Sequence, residues 1–153
     1  MITSKNPSIN EYNRVISSVR PLGSTFKIIP YAVGLKEGIK LRDKFEDSPR
    51  CCDSYCPKNF SEEYRGSVSL IESFKSSSNI VPISITKKIG LKNIINLANS
   101  FGLGYKQEFE EFPSLAIGAY GDNLLNITNA YSAINNNGTV SYTHLTLPTK
   151  RSV

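Results

Sequence analysis

Apolar residues at helical spacing constrain the fold of this chain more than any other feature of its sequence. In residues 91–101, four of them stand at positions i, i+3, i+4 and i+7, on one side of a helix: Leu91, Ile94, Ile95 and Ala98. Residues 124–134 repeat this spacing and run into Asn-Asn-Asn-Gly, which favours the left-handed backbone of a helix end. Each helix must bury its apolar side, so the pattern predicts a domain built mainly from packed helices.

Three further helices are predicted nearer the N terminus. The first covers residues 24–35, where Pro30 should kink the helix or be confined to its first turns. A second covers residues 79–89, with a proline in its first turn. Another covers residues 67–75, with apolar residues three apart on one side: Val68, Ile71 and Phe74. The long polar stretch 42–66 is predicted to be a loop that carries or covers a site.

Length and charge exclude several classes of protein. The 153 residues suit one domain, and 39% hydrophobic with 20% charged residues is typical of a globular chain. No apolar run approaches the roughly 20 residues of a membrane span, and no signal sequence follows Met1. The net charge of +5 is scattered rather than clustered, so no nucleic-acid partner is predicted.

Ser24 and Lys27 are the first candidates for chemistry. In a helix they lie on one side, ~4.5 Å apart along the axis, so the amine can reach the hydroxyl. A charged lysine in a first turn faces the positive end of the helix dipole, which should lower its pKa towards neutrality. Neutral Lys27 can then take the Ser24 proton and create a nucleophile for acyl transfer. Alone, S-x-x-K is a common pattern, and a serine near a helix start is usually a cap.

The turn Ser76-Ser77-Ser78-Asn79 is the second candidate. A Ser-x-Asn turn can direct a hydroxyl and an amide into one cleft, with the Ser77 hydroxyl relaying a proton and the Asn79 amide holding a substrate carbonyl. The alternative is a helix cap, in which Ser78 or Asn79 satisfies the first N–H groups of the helix that starts at Ile80. On local grounds the cap is favoured.

The two motifs together resemble the beginning of the set found in penicillin-binding proteins and class A β-lactamases. Their flanks are similar to the transpeptidase domain of class A, or bifunctional, penicillin-binding proteins over about residues 5–140. The segments that carry this resemblance are Asn13-Arg14, Arg20-Pro21-Leu22-Gly23, Pro57-x-Asn59, Tyr64-x-Gly66-x-Val68-x-Leu70, Leu115-Ala116-Ile117-Gly118, Asn129-Ala130-Tyr131 and Asn137-Gly138.

The resemblance implies an α+β fold, namely the helical lobe of the serine β-lactamase and transpeptidase-like fold. Most of its antiparallel sheet would be missing, so this chain should be mainly α. The implied reaction is peptidoglycan D,D-transpeptidation, in which Ser24 attacks the penultimate D-Ala carbonyl of a stem peptide. Lys27 would be the base, Ser77 the relay, and Asn79 with Ser78 the substrate ligands. Penicillin and other β-lactams would acylate Ser24, and neither a cofactor nor a metal is implied.

The resemblance also implies a larger protein around this segment. The full-length protein would be anchored in the membrane, carry a glycosyltransferase domain and act at the periplasmic face of the inner membrane. Residues 1–140 are interpreted as a partial transpeptidase domain. Residues 141–153 are interpreted as a non-native tail, because SYTHLTLPTKRSV resembles a translated sequencing adapter.

The chain departs from the family pattern at its third motif, K-[ST]-G, which is absent. That motif lies on a strand that supplies an oxyanion donor, and losing one such donor typically lowers the rate ~10²–10³-fold. We therefore predict that these residues alone are catalytically inactive and fold poorly. Acylation of Ser24 by a fluorescent penicillin at stoichiometric yield would contradict the predicted inactivity.

Two other functions stay open on the sequence. A serine β-lactamase is one, because class D enzymes often have the sequence S-T-F-K at their first motif. Their second motif, however, ends in Val, whereas the one in this chain ends in Asn79. A non-catalytic β-lactam-binding or sensor domain is the other, because the third motif is missing. Cys51, Cys52 and Cys56 lack the spacing and the nearby His of a metal site. A disulfide from Cys56 to Cys51 or Cys52 suits an extracytoplasmic domain.

Overall fold

The computed structural model describes residues 13–51, 55–104, 109, 111–136 and 138. Within these residues lie six α-helices, two 3₁₀ helices and four short strands. In chain order they are α1 (Arg14–Ser17), β1 (Arg20–Pro21), the first 3₁₀ helix (Gly23–Lys27), α2 (Ile28–Lys36), β2 (Lys44–Asp47), β3 (Gly66–Ser69), α3 (Leu70–Lys75), α4 (Ile80–Ile89), α5 (Leu91–Ser100), the second 3₁₀ helix (Pro113–Ile117), β4 (Gly121–Asp122) and α6 (Leu124–Asn135).

The strands form two small antiparallel pairs. In the first, β1 pairs with β4 so that Arg20 lies opposite Asp122. In the second, β2 pairs with β3 so that Lys44 lies opposite Ser69. Two-stranded ribbons of this length are marginal by themselves, so the helices carry the fold. The predicted α+β class, mainly helical and with little sheet, is confirmed.

Helix α2 is the central element because it is buried on two sides. Ile29 and Val33 of α2 pack with Ile94 and Ala98 of α5 in one apolar cluster. Tyr31, on another side of α2, packs in a second cluster that includes residues of β3 and α4. The predicted apolar side of α5 is confirmed, since Ile94 and Ala98 are fully buried and their two periodic neighbours pack against the same cluster.

The predicted helix over residues 24–35 is present but divided. Its first turns are the 3₁₀ helix, and α2 begins at Ile28, so Pro30 falls in the first turn of α2. A proline there is tolerated because the N–H groups of a first turn have no partner inside the helix.

The predictions for residues 42–75 are wrong in two places. The stretch 42–66 is not all loop, because it contains β2. The helix predicted over 67–75 begins only at Leu70, since Ser69 and Glu72 form a reciprocal capping box there. The side chain and backbone N–H of Ser69 donate to the Glu72 carboxylate and lower the pKa of that group to about 2. Val68 is therefore buried on a strand, and the side shared by Ile71 and Phe74 is exposed.

None of the helices within the described residues is both long and apolar enough to cross a membrane.

Candidate active site

Backbone pairing with a distant loop places Ser24 at the start of the first 3₁₀ helix. The Gly23 N–H donates to the Gly118 carbonyl at 3.0 Å. Gly118 has φ +80°, and a Cβ on it would overlap the Gly23 carbonyl, so only glycine permits this approach. One residue beyond Ser24, the Thr25 carbonyl accepts a hydrogen bond from the Tyr131 hydroxyl of α6 at 2.8 Å. Ser24 itself is exposed, and its neighbours on both sides are anchored.

Lys27 is buried directly behind Ser24, with 3% of its surface exposed. Its Nζ donates to the Ser77 carbonyl at 2.6 Å and to Ser77 Oγ at 3.1 Å. Burial removes the ammonium group from water and lowers the pKa of Lys27 from 10.5 to about 8. The predicted direction of this pKa change is confirmed, but its cause is desolvation. Lys27 ends the 3₁₀ helix and is also the N-cap residue of α2, so it lies one turn later than the first turn in which the spacing placed it.

Ser77 joins the two other groups. Its hydroxyl donates to Ser24 Oγ at 3.2 Å and accepts from Lys27 Nζ. The described hydrogen bonds thus connect Ser24 to Lys27 through Ser77, whereas the helical spacing alone predicted a direct contact. Ser77 adopts φ +55°, a left-handed conformation that is uncommon for a residue with a side chain. This backbone turns both the carbonyl and the hydroxyl of Ser77 towards Lys27.

Asn79 lies in the same cleft, where hydrogen bonds join it to Lys58 and Asn59. Its side-chain amide donates to the Lys58 carbonyl at 2.5 Å, and its backbone N–H donates to Asn59 Oδ1 at 2.8 Å. Its Oδ1 accepts no hydrogen bond from the described residues. That oxygen is therefore available to an N–H donor that enters the cleft.

Ser78, predicted to bind substrate, does not line the cleft. It is 2% exposed, and its hydroxyl donates to the Asp47 carboxylate at 2.7 Å. The same oxygen accepts from the N–H groups of Ile80 and Val81, which open α4. The helix-cap alternative therefore describes Ser78, and its substrate-binding assignment is corrected, because its side chain is directed to Asp47 and α4 while Ser77 and Asn79 line the cleft.

The cleft has a volume of about 550 Å³, and we call it the Ser24 cleft. Ser24, Lys27, Ser77 and Asn79 line it together, so four of the five predicted site residues meet in one place. Residues from the segment 59–65 form a wall that the sequence did not assign to the site: Asn59, Phe60, Ser61, Glu63 and Arg65. The sequence feature that pointed to this wall was the length of the polar stretch 42–66, because a loop of that length was expected to carry or cover a site.

A disulfide closes the loop that leads into this wall. Of the two pairings that were open, the structure forms Cys51–Cys56. Cys52 lies outside the described residues.

Residues 2–151 match the family model described as the penicillin-binding protein transpeptidase domain. Penicillin-binding protein 1A of Rickettsia prowazekii is 29% identical over 137 residues, which cover 86% of this chain and 17% of that protein. Penicillin-binding protein 1A of Clostridium botulinum is 35% identical over 156 residues, covering 91% of this chain and 18% of that protein. The chain thus spans less than a fifth of these relatives.

Solved structures show the same similarity. The crystal structure of penicillin-binding protein 1A from Haemophilus influenzae has a TM-score of 0.76 at 27% identity, covering 83% of this chain and 20% of that one. A ceftriaxone acyl-enzyme complex of penicillin-binding protein A from Mycobacterium tuberculosis has a TM-score of 0.73 at 24% identity, covering 88% of this chain and 36% of that one. The second similarity is one of fold alone.

Proposed function

The chain belongs to the penicillin-binding protein transpeptidase family, and from this premise we propose that the Ser24 cleft is the acyl-transfer half of a peptidoglycan D,D-transpeptidase site. One observation carries the proposal: Ser24 Oγ, Ser77 Oγ and Lys27 Nζ form one hydrogen-bonded row. A hydroxyl, a second hydroxyl and an amine with a pKa of about 8 are the groups needed to deprotonate a serine near neutral pH.

Protonation of Lys27 sets the direction of this row. Charged Lys27 donates to Ser77, and Ser77 donates to Ser24, which leaves the Ser24 proton without a basic acceptor among the described residues. Neutral Lys27 still donates one N–H to the Ser77 carbonyl and offers its lone pair to the Ser77 hydroxyl. Both hydrogen bonds then change direction, so that Ser77 donates to Lys27 and Ser24 donates to Ser77. Ser24 is therefore ready to attack only when Lys27 has lost its proton.

The proposed reaction has two acyl transfers. Ser24 Oγ attacks the penultimate D-Ala carbonyl of a stem peptide, and its proton passes through Ser77 to Lys27. Lys27 returns that proton to the amine of the terminal D-Ala as the peptide bond breaks, which leaves an acyl-serine. The amine of a neighbouring stem peptide then attacks this ester and restores the Ser24 hydroxyl. Asn79 Oδ1 would accept a hydrogen bond from the substrate amide, and penicillin would acylate Ser24 in the same first step.

The same proposal extends to the longer protein. We assign it stem peptides that end in D-Ala-D-Ala and β-lactams as ligands, a glycosyltransferase domain, a membrane anchor and a place at the periplasmic face of the inner membrane. The Cys51–Cys56 disulfide supports the location, because disulfides persist in oxidising compartments outside the cytoplasm.

Labelling with a fluorescent penicillin tests the assignment of Ser24. Because K-[ST]-G is absent, we expect a slow reaction and an adduct well below one equivalent, about 10²–10³-fold slower than with a complete oxyanion site. Mass spectrometry should locate the adduct on Ser24, and the labelling rate should rise with pH to a plateau with its midpoint near 8, the pKa of Lys27. Ser24→Ala and Lys27→Ala should abolish it.

Ser100→Ala is the matched control, because Ser100 is an exposed serine whose hydroxyl bonds only to the backbone of its own helix among the described residues. It should label as the wild type does. Equal labelling of Ser24→Ala, or no Ser24 adduct at any pH, would contradict the proposal. Adduct lifetime separates the enzyme classes, since a transpeptidase retains the penicilloyl group for many minutes and a serine β-lactamase releases it within seconds.

A further inference from the structure

We propose that Asp47 is a positioning residue of the Ser24 cleft, whose carboxylate holds the turn 77–79 so that the Ser77 hydroxyl stays between Ser24 and Lys27. The catalytic consequence rests on the proposed function, but the positioning itself can be measured without any acyl transfer. Asp47 ends β2 and touches neither Ser24 nor Lys27 through any described hydrogen bond.

The Asp47 carboxylate is buried, and it forms no ion pair with a cation of the described residues. It is 1% exposed, and neither ion pair among the described residues includes it. Three hydrogen-bond donors from the described residues stabilise the carboxylate instead. Ser78 Oγ donates to Oδ1 at 2.7 Å, Asn59 Nδ2 bridges both oxygens at 3.1 and 3.2 Å, and the Arg65 N–H donates to Oδ2 at 3.2 Å. A buried charge held only by hydrogen bonds is strongly stabilised by each of them, so the donors are fixed in turn.

Two of these donor residues connect Asp47 with the turn 77–79, since Ser78 belongs to the turn and Asn59 is hydrogen-bonded to it. Ser78 follows Ser77 directly, and its oxygen also receives the first N–H groups of α4. Asn59 uses its other side-chain atom, Oδ1, to accept the backbone N–H of Asn79. Asp47 thus holds residue 78 through a direct hydrogen bond and residue 79 through a single intermediate.

The backbone of Ser77 explains why the turn needs support. A left-handed φ of +55° is disfavoured for a residue with a Cβ, so it persists only where the surroundings impose it. If the turn relaxes, the Ser77 carbonyl and hydroxyl both leave Lys27, and the row to Ser24 is broken.

The test is Asp47→Asn, which keeps the shape of the side chain and replaces one oxygen with an N–H donor. That donor must face Ser78, Asn59 or the Arg65 N–H, all of which also donate, so the turn loses part of its support. The relaxed turn admits water to Lys27, whose pKa is lowered by desolvation, so NMR titration of isotope-labelled lysine side chains should show that pKa rising from about 8 towards 10.5. The rate of Ser24 labelling by fluorescent penicillin should fall by about tenfold to a hundredfold.

Asp43→Asn is the matched control. Asp43 is an exposed aspartate just before β2, and its carboxylate accepts the Lys40 N–H alone among the described residues. This variant should keep both the pKa of Lys27 and the labelling rate. An Asp47→Asn variant with a wild-type circular dichroism spectrum, an unchanged Lys27 pKa and an unchanged labelling rate would overturn the proposal.

Ser78→Ala keeps the proposal falsifiable if Asp47→Asn does not fold. It removes one donor and leaves the carboxylate with two, so we expect a smaller change of both readouts in the same direction. Wild-type values in Ser78→Ala would then refute the positioning role. Failure of the wild type to form a Ser24 adduct would contradict the proposed function alone, because the Lys27 titration still reports on Asp47.

Discussion

At the scale of single residues, the stability of the fold and the proposed chemistry make opposite demands on Lys27. The side chain is buried, and its pKa is lowered to about 8, while the unfolded chain keeps the ordinary value of 10.5. Between pH 8 and 10.5 the unfolded state therefore binds a proton that the folded state lacks, so stability rises with pH in this window. Below pH 8 both states are charged, and the fold carries the full cost of burying the ammonium group.

Replacing Lys27 with methionine should therefore stabilise the chain while abolishing Ser24 labelling. We expect the free energy of unfolding at pH 7 to increase by about 1–3 kcal/mol, because an apolar side chain of similar length needs no hydration. The gain should shrink between pH 8 and 9.5, as the wild type loses its proton. Urea denaturation of both proteins at pH 7 and 9.5 measures this, and a gain that is the same at both pH values would contradict the assigned pKa of Lys27.

At the scale of elements, the position of the nucleophile depends on the contact between the two 3₁₀ helices. The Gly23 N–H meets the carbonyl of Gly118, which ends the second 3₁₀ helix with a left-handed backbone. The two backbones approach so closely that no side chain fits at residue 118. Ser24 is thus located by a segment that lies far from it in the sequence.

Substituting alanine for Gly118 should move this turn as well as destabilise the chain. Gly38→Ala is the control, because Gly38 has a similar φ of +90° with no atom within 4 Å of an added Cβ. The control should lose only the cost of the left-handed backbone, about 1–2 kcal/mol. Gly118→Ala should lose more and also slow Ser24 labelling, measured with urea denaturation and fluorescent penicillin. Equal losses of stability and equal labelling would show that the close approach has no role.

How well an element could be predicted depended on whether its cause is local. The apolar side of α5 follows from spacing within ten residues and was confirmed. The start of α3 is also local, and the capping box of Ser69 and Glu72 was readable as S-x-x-E, yet the apolar spacing of residues 67–75 outweighed it. Strand β2 and the hydrogen bonds of Asp47 arise from pairing across the loop, for which the sequence contains no local signal.

The candidate site likewise combines features that a short stretch of sequence determines with features that depend on distant segments. Ser24, Lys27, Ser77 and Asn79 could be predicted because short motifs contain them. The route of the proton through Ser77, and the wall formed by residues 59–65, could not be predicted, because both depend on where the turn 77–79 lies relative to a separate segment.

At the scale of the whole molecule, the described residues leave large apolar side chains exposed. Phe60 is fully exposed, and Val19, Phe112 and Leu124 are about half exposed. The chain also spans less than a fifth of the relatives it matches. An apolar side chain that stays in water contributes little of the burial free energy that stabilises a fold.

We therefore expect these 153 residues alone to be marginally stable. Thermal unfolding followed by far-ultraviolet circular dichroism should be broad, with a midpoint below the roughly 45–65 °C of ordinary mesophilic domains. An apolar dye should bind the folded chain at low temperature. A sharp transition inside or above that range, without dye binding, would contradict the prediction that the chain folds poorly by itself.

The hydrogen bond from the Tyr131 hydroxyl to the Thr25 carbonyl joins positions 106 residues apart. On the ribosome, the segment that bears Ser24 emerges before the helix that fastens it. The nascent polypeptide therefore carries its reactive hydroxyl unfastened until residue 131 has emerged, and a product that stops before residue 131 has a serine that is never fixed in place.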